Sequence, residues 1–206
     1  MHIENNKEEV PFSYYADQFA KADPAEISAR LNLPFENNAF RVTLLGKNYT
    51  VGRGLAPAEP CSILCEGVEN IPLPVQTFLL RYLLESKPAA WRGQWKTFRE
   101  MPWGEMYIKP YTGRVLTRAA FTFGTRVEKF RAACEKLGAV ALPNGDAGFE
   151  FTLVGDFRLR ILVWAGDEEF PPKTQVLYTD NFAEGFAAED RVVAGDILIS
   201  HIKMAM

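Results

Sequence analysis

Carboxylates are the side chains in this sequence with the most evident chemistry. Asp167, Glu168 and Glu169 stand side by side after an apolar run, RLRILVW, that closes on Trp164. Phe170, Pro171 and Pro172 follow, and Tyr178 and Asp180 lie a short strand further on. Adjacent anions repel, so a loop that holds them close must gain something, and a hard cation with oxygen ligands would supply it. Together with Asp180, Glu189 and Asp190, the same acids could serve as a general acid and base. Two features count against a metal. Neighbouring side chains in an extended loop point different ways, and the segment lacks the spaced acids and central glycine of a calcium loop. The plainer reading is a hydrated hairpin tip, with Pro171-Pro172 stiffening its exit.

A second candidate is WRGQWKTFREMPW, from Trp91 to Trp103. Here Trp91, Trp95, Phe98 and Trp103 alternate with Arg92, Lys96 and Arg99. Aromatic faces beside cations suit a flat anionic ligand or a single strand of nucleic acid. The alternative is that the rings pack inward while the charges face water. The candidate ligand-binding residues are therefore Trp91, Arg92, Trp95, Trp164, Asp167, Glu168, Glu169, Tyr178 and Asp180. None of them is assigned a catalytic role or a metal.

Other chemistry is sparse. The two histidines, His2 and His201, lie near opposite ends of the chain, which argues against a catalytic triad or a multi-histidine metal site. His201 falls four residues after Ile197 and reads as a packing residue. Cys61 and Cys65 form one C-x3-C pair, and only Cys134 remains as a further thiolate. Gly52-Arg53-Gly54 matches no phosphate-binding loop and reads as a turn. No cofactor is indicated.

The bulk numbers narrow the partners. The chain has 206 residues, 48% apolar and 24% charged, with a net charge of −3 and no basic block. Nucleic acid is not the expected partner, because phosphate binding needs clustered Lys and Arg. No apolar run approaches the ~20 residues that cross a bilayer, and the opening MHIENNKEEV is polar, unlike a signal peptide. Three cysteines in this pattern fit a reducing cytoplasm. A small molecule or a protein is the expected partner, with no membrane contact.

The positioning elements follow from periodicity. Asn5 to Ala22 reads as a helix that Pro11 could restart, and Asp23 caps a second helix, Pro24 to Leu31. A hairpin spans Phe40 to Val51, with a Gly46-Lys47 loop that pairs Leu44 with Tyr49 and Val42 with Val51. Cys61 to Cys65 is a short strand, and Pro74 opens a helix through Leu84. After an irregular stretch to Gly113, one long helix is expected from Arg114 to Leu137, ended by Gly138. Two strands run from Phe149 to Leu153 and from Phe157 to Val163. A two-residue turn would set Leu153 opposite Arg158, so an odd loop, Val154-Gly155-Asp156, is preferred. Gln175 to Tyr178 is another strand. Asn181 to Lys203 is helical with a break near Gly185 or Glu189, and Asp180 is its expected cap. These groupings predict an α+β fold, with a mostly antiparallel sheet of about five to six strands packed on several helices. The expected organisation is an N-terminal helical segment, 1–22, and a single α+β domain, 23–206.

A family resemblance rests on particular stretches. The chain reads LLRYLLESKP and GQWKTFREMPWG, then a long helix closed by LG, then LRILVWAGDEEFPP, VLYTD and AAED. In this it resembles the bacterial and archaeal family described as domain of unknown function 3786, from about Asp23 onward. The resemblance implies a cytoplasmic protein, largely of anaerobes, and no agreed activity. Some relatives carry an added iron–sulfur domain, and this chain lacks the cysteine runs for one. Three functions are then in play: a ligand- or partner-binding module, a hydrolase or transferase using Asp167, Glu168 and Asp180 around a divalent cation, and a structural or assembly protein.

Overall fold

The structure, a computed structural model, describes residues 8–56 and 59–206. Residues 5–7 of the expected first helix and His2 lie outside the described residues. Two compact units divide the chain, 1–88 and 89–206. The α+β class holds, and every strand pairing is antiparallel, shared between one sheet of four strands and another of five.

In the first unit, α1 (Glu9–Lys21) takes Pro11 in its first turn, where a missing N–H costs nothing. Asp23 caps α2 (Pro24–Leu31) by accepting the Ala25 N–H at 2.9 Å. Four strands follow: β1 (Phe35–Glu36), β2 (Ala39–Leu44), β3 (Lys47–Ala56) and β4 (Glu59–Cys65). The β2–β3 turn is Leu45-Gly46, not Gly46-Lys47, so Val42 faces Tyr49 and Phe40 faces Val51. Leu45 and Gly46 both take positive φ (47° and 76°), as a two-residue hairpin requires. The shift is by two residues, so the buried face is the predicted one. Gly52-Arg53-Gly54 continues β3 instead of turning. Last comes α3 (Leu73–Glu85), whose closing carbonyls at Leu83, Leu84 and Ser86 accept from the Arg30 guanidinium.

The second unit begins with β5 (Trp95–Thr97), a 3₁₀ turn (Phe98–Glu100) and α4 (Gly104–Tyr111), all inside the stretch expected to be irregular. The long helix expected over 114–137 is instead a π-helical stretch (Thr112–Thr117), α5 (Arg118–Phe123) and α6 (Val127–Lys136). Pro110, near the end of α4, lacks an N–H to give, and the chain resumes in the wider i→i+5 pattern. The second break has a tertiary cause. A Cβ on Gly124 would sit 2.3 Å from Pro172 Cβ, so the chain bends where another loop packs against it. As expected, Gly138 ends α6 with a positive φ of 72°.

The sheet is completed by β6 (Val140–Leu142), β7 (Ala147–Val154), β8 (Phe157–Trp164) and β9 (Lys173–Thr179), in the order β5-β9-β8-β7-β6. Between β7 and β8 the turn itself has two residues, Gly155-Asp156, since Val154 faces Phe157. The odd offset that the apolar face demands comes from a bulge between Thr152 and Val154, which leaves Phe149 opposite Ile161 and Phe151 opposite Leu159. Those residues, with Phe130, Val163, Val176 and Tyr178, form the core beneath α6 and α8. The final helical segment breaks after Gly185, giving α7 (Phe182–Gly185) and α8 (Ala188–Ala205), with Glu189 and Asp190 in the first turn of α8. His201 is buried on α8.

Candidate functional site

The acidic loop joins β8 to β9 and folds around its own first acid. Asp167 Oδ1 accepts the N–H groups of Glu169 (2.9 Å) and Phe170 (2.7 Å), and the Asp167 N–H donates to the Phe170 carbonyl at 2.9 Å. Such local bonding to the main chain is what favours aspartate in turns. Asp146 holds the start of the loop by accepting the Ala165 N–H at 2.7 Å. Glu168 and Glu169 face water, where solvent screens their repulsion. Phe170 is 66% exposed beside them.

Asp180 is not part of that group. It follows the seven residues of β9, which at about 3.3 Å per residue put roughly 20 Å between it and the acidic loop. The convergence that a cation-centred enzyme needs does not occur. Among the described residues no cluster of three His, Cys, Asp or Glu is placed to hold a metal ion. Asp180 is 2% exposed, and its Oδ1 accepts the Arg92 N–H at 3.0 Å. The Arg92 guanidinium lies across Asp180 Oδ2 (Nε at 3.8 Å) and bonds to Glu184. Asp180 therefore ties down the chain ahead of β5, whereas the sequence suggested a helix cap; α7 has no side-chain cap. Sequence spacing misleads here because the partner lies 88 residues away.

Trp91 and Trp95 do meet, with centroids 5.7 Å apart. The cations over them are not the interleaved ones. Arg158 of β8 lies 5.1 Å from the Trp91 ring, and Arg160 lies 3.9 Å from the Trp95 ring. Glu150 of β7 bonds to both arginines, at 3.3 Å to Arg158 and at 3.0 and 2.9 Å to Arg160. One face of each indole is thus covered by a guanidinium, with Glu150 offsetting one of the two positive charges, and that face is closed to a stacked base. Of the other aromatics, Phe98 is buried in the core while Trp103 is 68% exposed.

Tyr178 is fully buried and donates its hydroxyl to the Arg191 carbonyl at 3.0 Å. Burial raises its pKa well above a tyrosine's ordinary value, and the neighbouring Tyr111 adds to this. Arg191 is itself buried; its guanidinium bonds to the carbonyls of Ala187 and Pro102. Gly195 makes room for the group, since a Cβ there would lie 3.1 Å from Tyr178 Oη and 2.9 Å from Val115. This polar knot fixes the turn after the 3₁₀ segment and with it the position of Phe98, whose ring stacks on Tyr111 at 4.1 Å.

The Phe98–Tyr111 stack forms one wall of a cleft of about 330 Å³. Ile108 of α4 and Leu116 of the π-helical stretch extend that wall. The floor is β9 from Lys173 to Val176, and Trp164 stands at one side. Thr97, Arg99, Lys173 and Gln175 supply the polar lining. Thr174 is turned away, its hydroxyl donating to the Leu116 carbonyl at 2.7 Å. Of the predicted candidates, Trp164 alone lines this cleft; the others lie on the outer sheet face, in the exposed loop or in the core. One signal for the rest was present in the sequence. Thr97-Phe98-Arg99-Glu100 has the form of a capping box, and the structure makes it, with Glu100 accepting from both the Thr97 N–H and hydroxyl at 2.7 Å.

Burial pushes the Cys61 thiol up to about 11 and raises Cys134 further.

The chain belongs to the family described as domain of unknown function 3786, whose family model matches residues 23–201. No curated protein matches it, and no solved structure does either.

Proposed function

We propose that this chain is a binding module whose ligand lies in the cleft along β9. The observation that carries the reading is the cleft itself: an apolar hollow of about 330 Å³ with Arg99 and Lys173 among its lining residues. Binding pockets combine mostly apolar walls with a few placed polar groups. Apolar bulk would fill the wall of Phe98, Ile108 and Leu116, and an anionic group would meet Lys173. Anilinonaphthalene sulfonate, an apolar anion, is a direct probe. We expect its fluorescence to rise with the folded protein, and Leu116→Trp, which fills the cleft, to abolish that rise while the unfolding midpoint moves little. Equal dye binding by the filled variant would sink the reading.

The setting we expect, an anaerobic cytoplasm, draws on the family resemblance and on three cysteines present as free thiols. No helix among the described residues is long and apolar enough to cross a membrane.

One observation favours a second reading, an assembly role. Met106 (72% exposed) and Tyr107 (40%) on α4, and Trp103 (68%) at the cap just before it, stand in water. Light scattering tests it: a dimer that dissociates in Trp103→Ser would support assembly, and a monomer at all concentrations would remove it.

A further inference from the structure

The tryptophans are not equivalent. Trp91 and Trp95 lean on one another, and each has an arginine over its ring. Trp103 stands in water and does not line the cleft. Trp164 is half-buried and does line it. Among the described residues, neither an aromatic ring nor a guanidinium lies over the Trp164 indole.

Burial decides which lining groups a ligand can touch. Phe98, Tyr111, Thr174 and Val176 are at most 6% exposed and lie behind the surface. Ile108, Leu116 and Trp164 remain as the accessible apolar side chains, each half-buried. The uncovered indole is the largest of the three and the one with a preferred geometry, because aromatic pairs gain beyond the area they bury.

The surrounding groups narrow what could lie on that ring. A cation suits an uncovered indole, but Lys173 stands directly opposite Trp164 in the β8–β9 ladder and repels one. A sugar carries a hydroxyl on most carbons and would need many partners. The Thr97 hydroxyl already donates to Glu100 and the Thr174 hydroxyl to the Leu116 carbonyl, both at 2.7 Å. Gln175 is then the neutral polar side chain left to serve it. A flat aromatic ring asks for no such bonds, and Ile108 and Leu116 receive the rest of its apolar surface. The charge follows from the same inventory. Arg99 is paired with Glu105 at 3.2 Å, whereas Lys173 is exposed and makes no ion pair among the described residues. One free cation matches a single negative charge.

Resting on the cleft as the ligand site, we propose that its ligand is a small planar aromatic carboxylate, with the ring stacked on Trp164 and the carboxylate turned to Lys173. Trp164 then selects the ring by shape and Lys173 selects the charge.

The probe is naphthoate, titrated calorimetrically into the full chain, with decanoate as an aliphatic acid of equal charge. We expect naphthoate to bind, to displace anilinonaphthalene sulfonate, and to be preferred over decanoate. In Trp164→Leu that preference should fall by about threefold or more, and in Trp164→Phe it should be kept. A folding defect weakens both acids alike and leaves their ratio unchanged. Naphthamide, which lacks the charge, should bind about threefold or more weaker than naphthoate, a gap that Lys173→Gln closes. Decanoate binding as tightly as naphthoate, or a preference untouched in Trp164→Leu, overturns the aromatic ligand. Equal binding of the amide overturns the carboxylate. Dye binding that naphthoate does not displace overturns the proposal while leaving the cleft as a site. Failure of dye and naphthoate alike overturns the cleft reading as well.

Discussion

The two ends of β9 carry negative charge of different kinds. Before it, Glu168 and Glu169 stand in water and Asp167 closes its own turn. After it, Asp180 is buried, takes an N–H from Arg92, and has Oδ2 shut from solvent without a hydrogen bond. Three acids in a row are conspicuous in a sequence and cost little in the fold, because water solvates them. A single acid is inconspicuous and holds the chain together. Between the two ends lies the cleft, lined by Trp164, Phe98 and Arg99 and by none of these acids. Charge density along a chain thus locates a wet surface more readily than it locates a site.

Substitutions can break this contrast. The largest effect belongs to Asp180→Ala, which empties a buried position and leaves the part-buried Arg92 N–H without its acceptor; we expect a loss of about 2–4 kcal/mol in urea unfolding. Asp180→Asn keeps an acceptor and should cost clearly less. If Asp180→Ala were neutral, the buried end would have no structural role and the contrast would fail.

Alkaline titration comes next. The Tyr178 pKa is raised above the ordinary 10 by burial, so the native state keeps its proton when the unfolded chain has lost it. The sign follows: this stability is fully present below pH ~10 and falls as pH rises beyond it. Tyr49 behaves alike, pushed up to about 12 by burial. Unfolding measured from pH 9 to 12 should show the decline, and Tyr178→Phe should flatten it. A decline unchanged in that variant would assign it to other groups.

Smaller still is Asp167→Ala, which removes the side-chain acceptor of two main-chain N–H groups in an exposed turn and should cost about 1 kcal/mol by thermal unfolding. The double change Glu168→Gln, Glu169→Gln should alter stability by less than about 0.5 kcal/mol and leave dye binding in the cleft unchanged. A strong loss of dye binding in that double variant would return the acidic loop to the site and erase the contrast.

Much of the local structure was legible in the residues. Asp23-Pro24 marked the start of α2, Gly138 the end of α6, and the alternation of Phe149 to Val163 the hairpin of β7 and β8, including the need for an odd offset. The misses share one cause. Gly124 bends a helix because Pro172 packs on it, Pro110 is followed by a π-helical stretch, and Asp180 finds Arg92 across the unit. The sequence interleaves Trp91 and Trp95 with Arg92, Lys96 and Arg99, whereas Arg158 and Arg160 reach the two rings from β8. Apart from the stretch after Pro110, each turns on a contact between residues distant in sequence.

Sequence by itself determined the α+β class, the apolar faces of the strands and several helix ends, because periodicity, caps and turn residues act within a few positions. The cleft was decided only by tertiary structure. It exists because β5 ends at Thr97 while β8 carries β9 on to Lys173, and because α4 and the π-helical stretch stand over the edge left open. Which strand outlasts its neighbour is a property of the assembled sheet, and no single stretch of chain contains it.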